Sequence, residues 1–321
     1  MTRKRGGILA AFAAILLLGW FFSGWYRGGP LARDTAFVVP DGASLASVAS
    51  KLEREGAISS ASAFRMRARL LGGGGAIRAG EFLLPKGASP SQILSIIRGD
   101  EVLRRFITVP EGMPSIMVWE RLAKQPYLSG DLAVPPEGSI LPDSYDFQRG
   151  EARKAVVARM QAAMGKTLTE LWDKRAPDLV VKTPAEAVIL ASIVEKETGK
   201  PAERKMVAGL YSNRLRQGIM LQADPTIIYP ITRGKPLGRR IRQSEIQAIN
   251  DYNTYAMLGL PKGPITNPGR ASLDAVLHPA QTDALYMVAD GTGGHAFAAT
   301  LEEHNRNVAK WFAIRRARGE L

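Results

Sequence analysis

The eight residues from Ala187 to Val194 carry one polar side chain, Ser192. A helix that is apolar on every side has to be buried on every side. This stretch therefore commits the chain to a core with other elements packed all around it. Its start is well specified, with Thr183 as N-cap, Pro184 at the first helical position and Glu186 completing a capping box. Gly199 and Pro201 mark its end. Glu195 and Glu197 follow the apolar run, so a carboxyl emerges from the inner end of a buried helix.

Helix periodicity separates those two carboxyls. At ~100° per residue, Glu195 shares a face with Val188, Ala191 and Ser192, whereas Glu197 lies with Glu186, Leu190 and Ile193. The first face is mostly small and leaves room for a ligand. The second is bulky and suits packing, with its carboxylate expected at a solvated end. Glu195 is the expected acid and Glu197 the alternative; an ordinary helix-end charge is the plain reading of either.

The residues that follow are rich in groups suited to sugars. A helix over 208–217 leads through Gly218 into a segment read as extended and polar, with Gln222, Asp224 and Thr226. The stretch from Asp251 to Gly269 brings two tyrosines, two asparagines and three prolines. Long irregular segments inside a domain are uncommon unless they build a site, and flat aromatic and amide groups match sugar rings; rigid ordered turns fit the same residues. Leu285 to Thr300 reads as a hairpin turning at Asp290-Gly291, with His295 at its exit and a last helix capped by Thr300 and Glu303. His278, His295 and His304 lack the i, i+4 spacing of a zinc helix. There is no Gly-x-Ser-x-Gly elbow, no dinucleotide fingerprint and no cysteine, which excludes thiol catalysis and Cys-ligated metal centres. Neither a metal nor a cofactor is expected.

At the other end, Gly6 to Tyr26 is 21 residues without a charge, preceded by Arg3, Lys4 and Arg5. At ~1.5 Å per residue such a helix spans a bilayer core of ~30 Å. Trp20, Trp25 and Tyr26 gather at one end, as at a headgroup layer. The reading is a single transmembrane helix over 8–26, with a cytoplasmic tail over 1–7 and the bulk of the chain extracytoplasmic (periplasmic), held at the cytoplasmic (inner) membrane. The formal charge is +13 from 43 basic and 30 acidic residues, which calls for an anionic partner. On the far side of a membrane, the carboxylates of peptidoglycan and anionic lipid headgroups fit that role better than nucleic acid does, and no nucleic-acid partner is expected.

Between anchor and helix a pattern recurs in VVPDGASL, LLPKGASP and TVPEGMPS, each a strand stopped by proline, a glycine turn and a capped helix start. Residues 34–104 read as a small strand–helix–helix–strand module resembling LysM; a spacer fits the same pattern. A second small module or connector is expected over 105–170, and the catalytic domain over 171–321. The fold class is α+β, with a transmembrane helix, small LysM-like α/β modules, and a mixed α+β domain whose buried helix carries the acid.

ASIVEKETG, YSNRL, LQADPTIIYP, YNTY with GLPKGPITNPG, LYMVADGTGGHAF and EEHN occur in that order. Together with the upstream PPEGSILPDSY they resemble the membrane-anchored endolytic murein transglycosylase (YceG-like) family. Leu141 and Ser144 stand where the family usually has Phe and Thr, and Ala223 where it often has Ser or Thr. The resemblance implies a lyase. It would cleave the β-1,4 bond between N-acetylmuramic acid and N-acetylglucosamine within glycan strands, leaving 1,6-anhydro ends and ending strand growth. It implies glycan strands as substrate and peptidoglycan synthases as partners. It maps the catalytic glutamate onto Glu195 and the cleft onto Asn213, Gln222, Asp224, Thr226, Tyr252, Asn253, Tyr255, Asn267 and His295. A glycosidase ordinarily needs two carboxylates. One is enough if the sugar's own C6 hydroxyl attacks, because intramolecular attack has a high effective molarity. Such an acid needs a pKa raised from ~4.3 toward ~6–7. A hydrolytic muramidase using Asp224 or Glu197, or a non-catalytic wall-binding scaffold, are the alternatives.

Overall fold

A computed structural model describes residues 2–320, with described side chains at Ile8 and from Phe12 onward. The chain divides into two compact units, one of residues Met1–Arg105 with Asp146–Gly150 and one of Phe106–Tyr145 with Glu151–Leu321.

In the first unit a helix, α1 (Thr2–Tyr26), precedes β1 (Thr35–Val39), α2 (Leu45–Arg54), α3 (Ala61–Leu71), β2 (Gly80–Leu84) and α4 (Pro90–Arg98). The strands pair antiparallel from Thr35↔Leu84 to Val39↔Gly80. That register sets Phe37 opposite Phe82, both fully buried. Polar caps fix where the helices begin: Ser44 accepts from the Ser47 N–H, and Ser89 and Gln92 form a reciprocal box ahead of α4. Val48, Leu52, Phe64, Ile93 and Ile97 close the core over the strands.

The expected transmembrane anchor is corrected here. Among the described residues no helix is long and apolar enough to cross a membrane. The last turns of α1 belong to the module: Trp25 is buried against Phe64, with ring centroids 5.8 Å apart. The Arg67 guanidinium lies 5.3 Å from the Trp20 ring and 5.5 Å from Phe21, and donates to the Gly24 carbonyl at 3.3 Å. An uncharged run in the sequence is thus paired in space with a cation from α3, and one of its terminal aromatics, Trp25, fills a protein core. The tail read over 1–7 lies outside the described side chains.

The second unit holds β3 (Arg105–Thr108, beginning one residue earlier), α5 (Ser115–Ala123), the first two residues of β4 (Ser144–Phe147), α6 (Arg153–Asp173), α7 (Pro184–Glu197), α8 (Arg204–Arg216), α9 (Asp224–Thr232), the one-turn α10 (Gln243–Ile246), α11 (Arg270–Leu277), β5 (Tyr286–Ala289), β6 (His295–Ala298) and α12 (Leu301–Ala317). Most of the stretch read as a second small module or connector, residues 106–145 and 151–170, is grouped in this unit with the C-terminal half. The apolar helix α7 is its axis, touched by α6, α8, α9 and α11, and from Ala187 to Val194 every residue but Ile189 is buried. Full burial of each Leu, Ile or Val is worth ~1.5–3 kcal/mol, which explains why this run organises the domain. Thr183 caps α7 by accepting from the Glu186 N–H at 3.1 Å, while the Glu186 carboxylate accepts from Lys182 rather than from the cap itself. The segment read as extended around Asp224 is helical from Asp224 onward; Asp-Pro is a helix start as well as a turn. β5 and β6 form the antiparallel hairpin, its turn tied by Asp290 Oδ1 accepting from the N–H groups of Thr292 and Gly294.

Candidate active site

The two carboxyls at the end of α7 enter different surroundings. Glu195 points to the face of small residues, but that face is filled by protein. The Ser192 hydroxyl donates to the Ile189 carbonyl and accepts from the Ile265 N–H at 3.0 Å, and α11 packs along α7. Small side chains made room for a helix and a loop rather than for a ligand. The Glu195 carboxyl, 5% exposed, accepts from the Gly269 N–H at 2.9 Å where α11 begins. Its other oxygen lies 3.7 Å from Arg204, whose guanidinium also binds Glu111 at 2.9 Å. Its oxygens are already engaged by donors, so this carboxylate ties α7, α8, α11 and the Glu111 turn together.

Glu197, expected at a solvated end, is sunk instead. Its carboxyl lies within hydrogen-bonding reach of the fully buried Tyr211 phenol, and its Oε1 is buried with no partner. Burial, with a smaller push from the Asp224 charge, outweighs the Tyr211 hydrogen bond and moves its pKa up to about 7. Its place as the last residue of α7 acts in the same sense, since the C-terminal end of a helix disfavours negative charge. Glu197 lines a cleft of about 310 Å³ together with Tyr211, Arg214, Gln222, Asp224, Tyr255, Tyr286, His295 and His304.

Four of the expected cleft residues meet there. Asp224 Oδ1 accepts from the Tyr255 hydroxyl at 2.7 Å. Burial first, and then that bond, holds the Tyr255 phenol well above its ordinary value, so it stays a donor. Gln222 adopts a left-handed backbone with φ 54°, a conformation that costs energy for a residue with a side chain. It is secured there by its N–H to the Thr254 carbonyl and its Oε1 to Arg214. His295 Nδ1 lies 2.8 Å from Glu203, which also accepts from the His295 N–H.

The other expected cleft residues hold backbone. Asn213 donates to the carbonyls of Thr282 and Ala284. Thr226, fully buried, donates to the Ala223 carbonyl and shares a hydrogen bond with Thr254. Asn253 donates to the carbonyls of Ile246 and Ala248 and accepts from the Tyr255 N–H. Asn267 receives the Ile140 N–H and donates to the Met113 carbonyl and Ser115 hydroxyl. Tyr252 packs its ring on Tyr229 at 4.8 Å. These are the ties that let an irregular segment sit inside a domain with its polar backbone satisfied. Among the described residues no cluster of three or more His, Asp or Glu could hold a metal ion.

Sequence reasoning missed Tyr211, Arg214, Tyr286 and His304. A signal existed for the first two: Val207, Leu210, Tyr211 and Arg214 fall at i, i+3, i+4 and i+7, the buried face of α8. Arg214, 8% exposed, donates to the carbonyls of Met220, Leu221 and Leu285 and so fixes the floor of the cleft.

A buried carboxyl whose pKa is pushed up to about 7, set among phenols, amides and imidazoles, is an arrangement suited to general acid–base chemistry on a polar substrate. The YceG-like family matches residues 37–310, and the chain belongs to that family. It is 26% identical over 335 residues to the endolytic murein transglycosylase of Bacillus subtilis, covering 93% of this chain and 92% of that one. It is 27% identical to the endolytic murein transglycosylase of Streptococcus pneumoniae, covering 93% of this chain and 63% of that longer protein. A yceG-like protein of Listeria monocytogenes, known from a 2.6 Å crystal structure, superposes with a TM-score of 0.54 at 25% identity, covering 86% of this chain and 99% of that one.

Proposed function

We propose that the chain is an endolytic murein transglycosylase, a lyase that cuts peptidoglycan glycan strands internally, with Glu197 as its acid and base. The observation that carries the reading is the buried Glu197 carboxyl, with its pKa pushed up to about 7 in a cleft with Asp224, Gln222 and Tyr255. Protonated, it gives its proton to the oxygen leaving C1 of N-acetylmuramic acid. As a carboxylate it then takes the proton of that sugar's C6 hydroxyl as the hydroxyl closes on C1. No water is consumed and the strand ends in a 1,6-anhydro sugar. Both Glu195 oxygens face donors, the Gly269 N–H and Arg204, which supports Glu197, two residues along the helix, for the role.

Purified sacculi digested with the full chain and analysed by mass spectrometry test this. The expected fragments are one water lighter than hydrolytic ones, and Glu197→Gln cuts their release by about a thousandfold while the fold survives. Full activity in Glu197→Gln together with its loss in Glu195→Gln would return the role to Glu195. Reducing ends of full mass would favour a muramidase, a reading that Asp224 in the same cleft keeps specific.

The first unit is proposed to hold glycan in the manner of a LysM module, on the resemblance of its strand–helix–helix–strand order. Hydrogen exchange of the full chain with and without glycan strands checks it: slowed exchange over 34–104 supports the role, and unchanged exchange leaves a spacer.

A further inference from the structure

Two buried polar atoms of residues lining the cleft have no hydrogen-bond partner among the described residues: Glu197 Oε1, which the chemistry above uses, and His304 Nδ1, which it does not. Leaving a buried polar atom unpaired costs ~1–3 kcal/mol, and such atoms ask for an explanation. The His304 ring is also held in one place. It stacks on Tyr286 with centroids 5.3 Å apart and planes at 26°. The Arg214 guanidinium lies 5.4 Å from the same tyrosine ring, and Arg214 is itself locked by three backbone carbonyls. Burial and then the charge of Arg214 hold the imidazole below its ordinary pKa, so it is neutral at neutral pH. A neutral imidazole presents one donor and one acceptor and suits an uncharged polar group better than a carboxylate.

We propose that His304 is a substrate-binding residue whose Nδ1 makes a hydrogen bond with a hydroxyl or acetamido group of the glycan, fixing the strand while Glu197 acts on its linkage. The assignment rests on the reading of the cleft as the transglycosylase site. It concerns a residue of α12, more than a hundred positions along the chain from the acid, that the sequence reading left out of the site.

The test is equilibrium binding of fluorescently labelled, uncrosslinked glycan strands to the full chain carrying Glu197→Gln, so that nothing is cleaved. Two further substitutions are added singly. His304→Phe keeps a ring on Tyr286 and removes the polar atom; His304→Asn keeps an amide where Nδ1 stood and removes the ring. The expected result is Kd about tenfold weaker with Phe and a value close to the parent with Asn. Thermal unfolding is followed in each to separate binding from folding. Phe binding as tightly as the parent, or Asn binding more weakly than Phe, overturns the proposal, the second result making the ring stack the relevant feature. Cleavage by Glu197→Gln itself would sink the acid assignment and leave the His304 comparison readable on the parent chain at short times. Failure of the parent to bind strands overturns both.

Discussion

Glu195 and Glu197 leave the same helix two residues apart and meet opposite fates. Around Glu195 stand Arg204, the Gly269 N–H and the start of α11, which together offer its carboxylate what water would have offered. Around Glu197 stand a fully buried phenol, a second carboxylate and a cleft of about 310 Å³. The lesson is that the bulk of a helix face says little about where a ligand goes. A face of small residues is where another element comes closest, and the carboxyl proposed as the acid lies on the bulkier face, at the cleft.

The contrast can be broken most strongly through pH. A Glu197 carboxyl that moves from 4.5 to about 7 on folding binds its proton more tightly in the native state. Its contribution to stability is fully present below the unfolded value and is lost as pH rises through about 7, a fall of about 3 kcal/mol. Unfolding in urea measured from pH 4 to 8 is expected to show that fall in the parent and a flatter profile in Glu197→Gln. The rate of strand cleavage is expected to decline over the same upper limb, because the acid has lost its proton. Parallel stability profiles for the two chains would mean that Glu197 is not the group that titrates.

A smaller effect is expected on the other side of the contrast. Glu195→Gln keeps the shape and an acceptor for Gly269 while removing the charge that faces Arg204. The expected cost is about 2 kcal/mol in unfolding free energy, between the small worth of an exposed pair and the larger cost of stripping a buried one. Cleavage measured at a temperature where the variant is folded is expected to stay within a few fold of the parent. A loss comparable to that of Glu197→Gln would erase the distinction between the two sites.

Local signals carried much of the architecture. The caps at Ser44, Ser89, Thr183 and Thr300, the apolar run of α7 and the Asp290 turn are all decided by neighbours in sequence, and they appear where those neighbours put them. What was illegible depends on distant partners. No count of charges over 6–26 reveals that Arg67 stacks on Trp20, or that Trp25 fills a core. No periodicity over α7 reveals that residues 264–277 occupy the Glu195 side. The amides suited to sugars, Asn213, Asn253 and Asn267, are equally suited to backbone carbonyls, and an irregular segment generates many of those.

The finest test lies within the cleft. Tyr255→Phe removes the 2.7 Å bond to Asp224 and leaves the Thr226–Thr254 bond beside it in place. The neck of the excursion between Asp224 and Tyr255 should loosen by about 1 kcal/mol. The effect on the acid has a sign that can be worked out. The phenol spreads the charge of Asp224, and the Asp224 charge pushes Glu197 upward. Without the phenol that push strengthens, so the upper limb of the pH–rate profile is expected to move to higher pH by a fraction of a unit. A limb that moves down, or stays fixed while Asp224→Asn shifts it, would mean that Asp224 acts on Glu197 without help from this phenol; a limb that neither substitution moves would mean that the two carboxyls do not act on each other.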